Sequence, residues 1–154
     1  MIGRQMLDTK IPPPIIAILI GVCIYFSRGW LPQFESDYLF YAGLGCELLA
    51  VVINLTAIFS FIKNKTTINP VKLHTVTSLV TTGVFAFSRN PMYLGLLLFL
   101  FGFALQVNVV GGIPLLLLFV LYINRFQIIP EERALAEKFG GEFQEYRKKV
   151  RRWI

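Results

Sequence analysis

The residues best suited to chemistry in this sequence are concentrated in its second half. An Arg-Asn-Pro-x-Tyr-x-Gly segment covers residues 89–95, Arg125 follows a long apolar run, and Glu131 and Glu132 stand side by side after a proline. A carboxylate pairs with a cation, and a guanidinium fork matches a carboxylate, more strongly where water is excluded. A tyrosine ring offers a stacking face, and glycine permits close approach of a ligand. The pattern predicts a binding site for a charged small molecule.

The elements that must position these residues are predicted to be membrane helices. Of the 154 residues 55% are hydrophobic and the mean hydropathy is +0.63, more than a water-soluble domain needs to fill one core. Four apolar stretches approach the roughly 20 residues of a bilayer span: 12–26 extending towards 31, 38–62, 91–107 and 113–129. The predicted fold class is all-α, a polytopic bundle of about four transmembrane helices.

Charge sets the predicted orientation, because Lys and Arg accumulate on the cytoplasmic side of a membrane protein. With four spans and a cytoplasmic amino terminus, Arg28 alone among the 15 Lys and Arg residues falls outside. Both termini are therefore predicted to be cytoplasmic, and the net charge of +6 indicates topology rather than nucleic-acid binding. The first stretch is read as a retained anchor rather than a cleaved signal peptide, since three prolines at residues 12–14 open its apolar run.

Two regions follow from these spans. We expect residues 1–62 to form a scaffold hairpin. We expect residues 63–154 to carry the candidate site, with a polar cytoplasmic connection, a helical hairpin and a C-terminal amphipathic cytoplasmic region. The hairpin is predicted to turn at 107–112, and Gly95 and Gly102 on one face of its first helix permit a close neighbour. Pro130 is predicted to break the helix before the acid pair, and Gly140-Gly141 to interrupt the amphipathic region. Its apolar stripe is predicted to lie against the membrane or the bundle.

Several other residues are weaker candidates. Glu47 and Asn54 are seven apart on one helix face at membrane depth, where Glu47 is either functional or a protonated residue bonded within the bundle. His74, the single histidine, is either a base or a solvated surface residue. Cys23 and Cys46 are read as packing residues without metal-ligand spacing, so no metal is predicted.

Two sequence blocks carry a specific resemblance. Residues 82–95, Thr-Gly-Val-Phe-Ala-Phe-Ser-Arg-Asn-Pro-Met-Tyr-Leu-Gly, look like the Gly-x-Tyr/Phe…Arg-His-Pro-x-Tyr-x-Gly motif of membrane methyltransferases. Residues 131–146 resemble their Glu-Glu…Phe-Gly-x-x-Tyr/Phe-x-x-Tyr tail. The chain thus resembles, from Thr67 to Trp153, the isoprenylcysteine carboxyl methyltransferases and their phospholipid N-methyltransferase relatives. Asn90 stands where the family most often has a histidine. Its amide can donate and accept hydrogen bonds but does not take up a proton at neutral pH, which excludes a base at that position.

The resemblance implies S-adenosyl-L-methionine as cofactor and a lipophilic or prenylated acceptor that arrives through the bilayer. Glu131 is expected to pair with the cofactor's ammonium, and Arg125, with Arg89 as second candidate, to hold the acceptor. The plain alternatives are helix capping for the acids, interface packing for Tyr93 and a helix-end role for Arg89. The residues expected to bind the cofactor are Leu79, Val80, Thr81, Gly83, Val84, Asn90, Tyr93, Gly95, Glu131 and Glu132.

The function that these features favour is methyl transfer at the cytoplasmic membrane face to a carboxylate of isoprenylcysteine type. A carboxylate is already nucleophilic and needs an arginine more than a base, whereas phosphatidylethanolamine is a protonated amine and needs proton removal. Phosphatidylethanolamine N-methylation remains the alternative within this class. An NADPH-dependent membrane reductase and a non-catalytic membrane scaffold are the alternatives outside it.

Overall fold

The computed structural model describes residues 11–34, 36–64 and 78–154, and within these ranges all regular structure is helical. The helices are α1 (Pro13–Ser27), α2 (Asp37–Lys63), α3 (Pro91–Val107), α4 (Val109–Ile123) and α5 (Ile129–Lys149). A 3₁₀ turn at Gly83–Ala86 precedes α3, and a π-helical turn at Asn124–Ile128 joins α4 to α5. The predicted all-α helical bundle is confirmed.

The helices are apolar on faces that the protein itself does not cover. The helix α2 is long and apolar enough to cross a membrane, yet only 11% of its apolar 18-residue segment is buried inside the protein. The helical segment from Val109 to Lys149 is also long and apolar enough to cross a membrane. The helices α1 and α3 are apolar but shorter, with 15 and 17 residues. Large exposed apolar surfaces of this kind need lipid around them rather than water.

The helices α2 and α3 are antiparallel and pack at very close range. A Cβ on Gly102 would lie 2.5 Å from the carbonyl oxygen of Gly43 and 2.9 Å from Cγ of Glu47. One on Gly95 would lie 2.2 Å from Nδ2 of Asn54. The predicted close neighbour of the two glycines is therefore confirmed and is α2, whose Glu47 and Asn54 share the facing side.

Contacts at both ends place the remaining helices. At one end, Nε2 of Gln127 donates to the carbonyl of Ile11, and at the other Gly111 of α4 packs against Ser27 of α1. Because α1 and α4 are thus antiparallel, and α3 lies against both, the four apolar helices run alternately up and down. We call the end with Ile11, Pro91 and Gln127 the charged end.

The turn between α3 and α4 is shorter than predicted. The helix break is confined to Asn108, and α4 begins at Val109 rather than at residue 113. The Oδ1 atom of Asn108 accepts from the backbone N–H groups of Val110 and Gly111, which caps the first turn of α4. A single capping side chain thus replaces the predicted turn at 107–112.

The prediction that Pro130 breaks the helix is wrong. The chain stays helical from α4 into α5, and the backbone N–H of Ile129 bonds to the carbonyl of Asn124 across the wider π turn. Since a proline donates no backbone hydrogen bond and its ring needs room, the wider turn before it accommodates Pro130 without ending the helix.

The helix α5 differs in character from α4. Ten of its 21 residues are charged, so the apolar segment ends near Pro130 and the charged part lies beyond it. Gly140 has a φ of 48° and kinks the helix, as predicted. Past the kink, Phe143, Tyr146 and Val150 form a buried cluster with Leu79 and neighbouring apolar residues, so the stripe packs on the protein.

Candidate active site

The first turn of α5 meets the first turn of α3 at the charged end. The phenol Oη of Tyr93 donates a hydrogen bond to Oε1 of Glu131. Tyr93 is buried and Glu131 is partly buried. The acid pair and the proline-tyrosine segment, both expected to bind the cofactor, therefore lie next to each other. The roles of these residues stay predictions.

Glu132 is held between two arginines. Its Oε1 accepts from Nη2 of Arg89 at 2.6 Å, and its Oε2 accepts from Nη2 of Arg152 at 2.7 Å. Burial acts to raise the pKa of Glu132, but hydrogen bonds and charge from Arg152 and Arg89 outweigh it and hold the pKa below its ordinary value. Glu132 is thus an ionised structural anchor.

Glu131 has the opposite environment. Among the described residues it forms no ion pair. Burial raises the pKa of this carboxyl to about 7, the hydrogen bond from Tyr93 acts to lower it, and the charge of Glu132 acts to raise it. A carboxyl group held by a neutral phenol, with no cation supplied by the described chain, is suited to a cationic ligand.

The segment before α3 binds the end of the chain. The backbone N–H of Arg89 donates to the carbonyl of Arg151 at 3.1 Å, and Nη1 of Arg89 donates to that of Val150 at 2.6 Å. Nδ2 of Asn90 donates to the carbonyl of Arg152 at 2.9 Å. Arg89 and Asn90, both predicted site residues, therefore bind the end of the chain through their polar groups. The buried Nε of Arg89 has no hydrogen-bond partner among the described residues.

The predicted cofactor stretch lies between α2 and α5. Val80 is buried with Ala57 of α2 and with Phe85, and the side chain of Val84 packs at the same cluster. Leu79 packs on the cluster of α5 instead. Gly83 has a φ of 65°, in the left-handed region that glycine adopts without strain, so it permits the turn into the 3₁₀ segment.

A cleft of about 610 Å³ opens beside this stretch, within the range of about 300–1,000 Å³ of small-molecule sites. Thr81 and Ala86 line one wall, and the end of α5 with Glu142, Glu145 and Tyr146 lines the other. Oη of Tyr146 donates to the carbonyl of Phe85 at 2.6 Å and joins the two walls. Burial raises the pKa of the Tyr146 phenol, with the charge of Arg89 opposing, so it stays a donor.

Two predicted site residues lie elsewhere. Gly95 faces Asn54 in the helix interface rather than the acid pair. Arg125 lies in the π turn, partly buried, with its guanidinium 5.3 Å from the centre of the Phe126 ring. The Phe126 ring also packs on that of Tyr122, with the ring centres 4.8 Å apart. The buried hydroxyl of Tyr122 has no hydrogen-bond partner within the part of the chain that the structure describes.

Sequence reasoning missed the role of the last residues. Arg152 binds Glu132, and Nε1 of Trp153 donates to Oδ1 of Asn124 at 3.2 Å. Both partners are 20 or more residues away in sequence, so no local pattern pointed to these contacts. His74 lies outside the described residues, and within them no group of three or more His, Cys, Asp or Glu is arranged to hold a metal ion.

A helix bundle with exposed apolar faces, and with an acid-tyrosine pair at its charged end, is typical of a membrane protein. Residues 38–142 match the family model described as phospholipid methyltransferase. The chain belongs to this family, and it is a membrane methyltransferase.

Two curated relatives are similar to parts of the chain. The chain is 44% identical over 63 residues, 41% of its length, to the whole of an uncharacterized protein of Haemophilus influenzae. It is 36% identical over 75 residues to the protein-S-isoprenylcysteine O-methyltransferase of Schizosaccharomyces pombe, a match that covers 47% of this chain and 30% of that protein. No solved structure matches the chain significantly.

Proposed function

We propose that this protein transfers a methyl group from S-adenosyl-L-methionine to a lipophilic carboxylate of isoprenylcysteine type at the cytoplasmic face of the membrane. The observation that carries the proposal is Glu131, a partly buried acid oriented by Tyr93 and without an ion-pair partner among the described residues. Its neighbour Glu132, by contrast, is doubly paired.

The residues present fit the cofactor. S-adenosyl-L-methionine carries an ammonium, a carboxylate and a sulfonium, and it supplies the electrophilic methyl group. Glu131 would hold the ammonium, and the nucleoside would lie in the cleft beside Thr81 and Ala86. The guanidinium of Arg89 donates both to the carbonyl of Val150, which lines that cleft, and to the carboxylate of Glu132. The Arg89 side chain therefore connects the cleft wall to the acid pair.

Methyl transfer is an in-line displacement, so alignment of the two reactants supplies most of the catalysis. A carboxylate acceptor attacks as the anion and gives up no proton, and the chain needs no base for it. Asn90 is consistent with this, because it cannot titrate and its amide is bound to the carbonyl of Arg152. The phenol of Tyr93 would keep its proton and go on donating a hydrogen bond to the ionised Glu131 while the pair orients the cofactor.

Arg125 is the residue we assign to the acceptor. It lies in the π turn where the apolar α4 passes into the charged α5, so a lipid-borne carboxylate reaches it at the boundary of the bilayer. π turns often occur at functional sites because they redirect side chains. A guanidinium fork binds a carboxylate in two-point fashion, which a lysine does not reproduce.

Phospholipid N-methylation is the second candidate, favoured by the description of the matching family model. The name of the Schizosaccharomyces pombe relative favours the first. An amine acceptor has to lose a proton, and the described part of the site offers Glu131 as its titrating group near neutral pH.

Binding of radiolabelled S-adenosyl-L-methionine to the detergent-purified protein tests the cofactor assignment. We expect Glu131→Gln to weaken binding by about a hundredfold, the scale of a lost charge-assisted contact in a dry site. Glu137→Gln is the matched control, since Glu137 is exposed on the same helix. Equal binding by wild type and Glu131→Gln would refute the assignment, and binding of NADPH instead would favour a reductase.

The acceptor is tested by comparing methyl incorporation into a farnesyl-cysteine analogue and into phosphatidylethanolamine. We expect methylation of the first, with Arg125→Lys raising its KM about tenfold or more because the two-point contact is lost. Methylation of phosphatidylethanolamine alone would exclude the carboxylate assignment.

A further inference from the structure

We propose that Arg152 is a positioning residue that fixes the orientation of Glu131 through Glu132 and through the end of the chain. The inference rests on the proposed binding of S-adenosyl-L-methionine at Glu131. Residues 150–153 form what we call the C-terminal strap, which binds three separate segments of the site.

The first contact of the strap is with α5. The Arg152 guanidinium spans both carboxylate oxygens of Glu132, with Nη2 at 2.7 Å from Oε2 and Nε at 3.2 Å from Oε1. This two-point geometry fixes both the position and the plane of the carboxylate. Glu132 is adjacent to Glu131 in the first turn of the helix, so fixing it also fixes the direction in which Glu131 projects.

The second contact is with the segment that leads into α3. The carbonyls of Val150, Arg151 and Arg152 all accept hydrogen bonds from Arg89 or Asn90. Tyr93, the partner of Glu131, follows within one turn of α3. The strap therefore contacts residues close in sequence to both members of the Tyr93–Glu131 pair, on α3 and on α5.

The third contact is with the π turn, where Trp153 donates to Asn124, the residue before Arg125. The segments that carry the proposed acceptor residue and the proposed cofactor residue are thus both bound by residues 150–153. Since a displacement reaction depends on alignment of its two reactants, a small displacement of the strap would affect turnover as well as binding.

The ion pairs differ in their effect on folding. The side chain of Arg89 is 10% exposed and that of Arg152 is 35% exposed. Without Arg152, Glu132 keeps a cationic partner in Arg89, so no uncompensated charge is left buried. Replacement of Arg152 is therefore expected to loosen the strap while the bundle stays folded.

Two adjacent arginines provide a matched test. Arg152→Gln and Arg151→Gln remove the same charge, but the side chain of Arg151 is exposed and only its backbone carbonyl contacts the site. We expect Arg152→Gln to weaken S-adenosyl-L-methionine binding about tenfold and to lower kcat, with an unchanged thermal midpoint, and Arg151→Gln to stay within about twofold of wild type.

A double variant shows whether Arg152 acts through Glu132. Glu132→Gln combined with Arg152→Gln is expected to bind the cofactor no more weakly than Glu132→Gln alone, and additive losses would overturn the proposal. Should Arg152→Gln lose helical content in detergent, Arg152→Lys serves instead, since it keeps the charge without the fork. An intermediate Kd supports the proposal, and a wild-type Kd overturns it.

The two proposals fail in different ways. A wild-type protein that does not bind S-adenosyl-L-methionine contradicts the proposed function. Wild-type binding that Arg152→Gln leaves unchanged contradicts only the role of Arg152.

Discussion

Glu131 and Glu132 show how two identical neighbours acquire different chemistry. Successive residues of a helix project about 100° apart, so the two carboxyl groups face different surroundings. Glu131 faces the buried phenol of Tyr93, and Glu132 faces the guanidinium groups of Arg89 and Arg152. One pKa is raised to about 7 and the other is lowered, so the acids titrate separately.

This separation predicts a pH dependence for cofactor binding. Only the ionised form of Glu131 attracts an ammonium, and its ionised fraction grows as the pH rises through about 7. We expect the affinity for S-adenosyl-L-methionine to rise about tenfold between about pH 6 and about pH 8 and then to level off. The measurement is Kd across this range, with Glu131→Gln expected to give a flat profile.

Tyr93→Phe adds a directional control to that experiment. Burial keeps the pKa of Glu131 high, and the hydrogen bond from Tyr93 acts against it, so removal of the hydroxyl raises the pKa further. The midpoint of the binding profile should therefore move to higher pH in Tyr93→Phe. A midpoint that moves to lower pH, or a flat wild-type profile, would contradict the assignment of Glu131.

At the scale of elements, the interface of α2 and α3 depends on glycines that let two backbones touch. Gly102→Ala would place its Cβ 2.5 Å from the carbonyl oxygen of Gly43, and backbone atoms cannot move aside as a side chain can. We expect a loss of about 1–3 kcal/mol in the free energy of unfolding, the usual cost of overpacking. Thermal unfolding in detergent, followed by helical circular dichroism, measures it.

Gly45→Ala is the matched control, because a Cβ there meets nothing within 4 Å on the same pair of helices. Alanine is the better helix former by about 1 kcal/mol, so this variant should be neutral or slightly more stable. Equal losses at the two positions would mean that close packing does not hold α2 against α3.

At the scale of the whole molecule, the exposed apolar faces and the alternating helices lead us to propose four spans with both termini cytoplasmic. In a variant with Cys23 and Cys46 replaced by alanine, single cysteines at Gly29 and Ile154 probe opposite faces. Both positions are exposed, and a Cβ on Gly29 meets nothing nearer than 3.6 Å. A membrane-impermeant maleimide should label the first in intact cells and the second only after permeabilisation.

Labelling of both cysteines in intact cells would contradict the cytoplasmic carboxyl terminus. Labelling of Ile154→Cys alone would mean that the protein is inserted the other way, against the distribution of its basic residues. Either result would also move the proposed site to the wrong side of the membrane for a cytosolic cofactor.

The sequence by itself determined the helical class and the apolar elements, because hydropathy over about 20 residues is a local property. It also determined that Gly95 and Gly102 share a helix face that permits a close neighbour, whereas the structure identified that neighbour as α2. The junctions were less predictable. One hydrogen-bonding side chain, Asn108, and one wider turn before Pro130 decided where α4 begins and whether it ends.

Only the tertiary structure decided what each charged residue of the site contacts. Arg89, Glu132 and Arg152 lie far apart in sequence, and their pairing depends on a chain end folded back across the bundle. The same fold separates Gly95 from the acid pair, although both belong to the resembling motifs. Residue type limits which partners a side chain can bind, whereas the packing of distant segments decides which of those partners it meets.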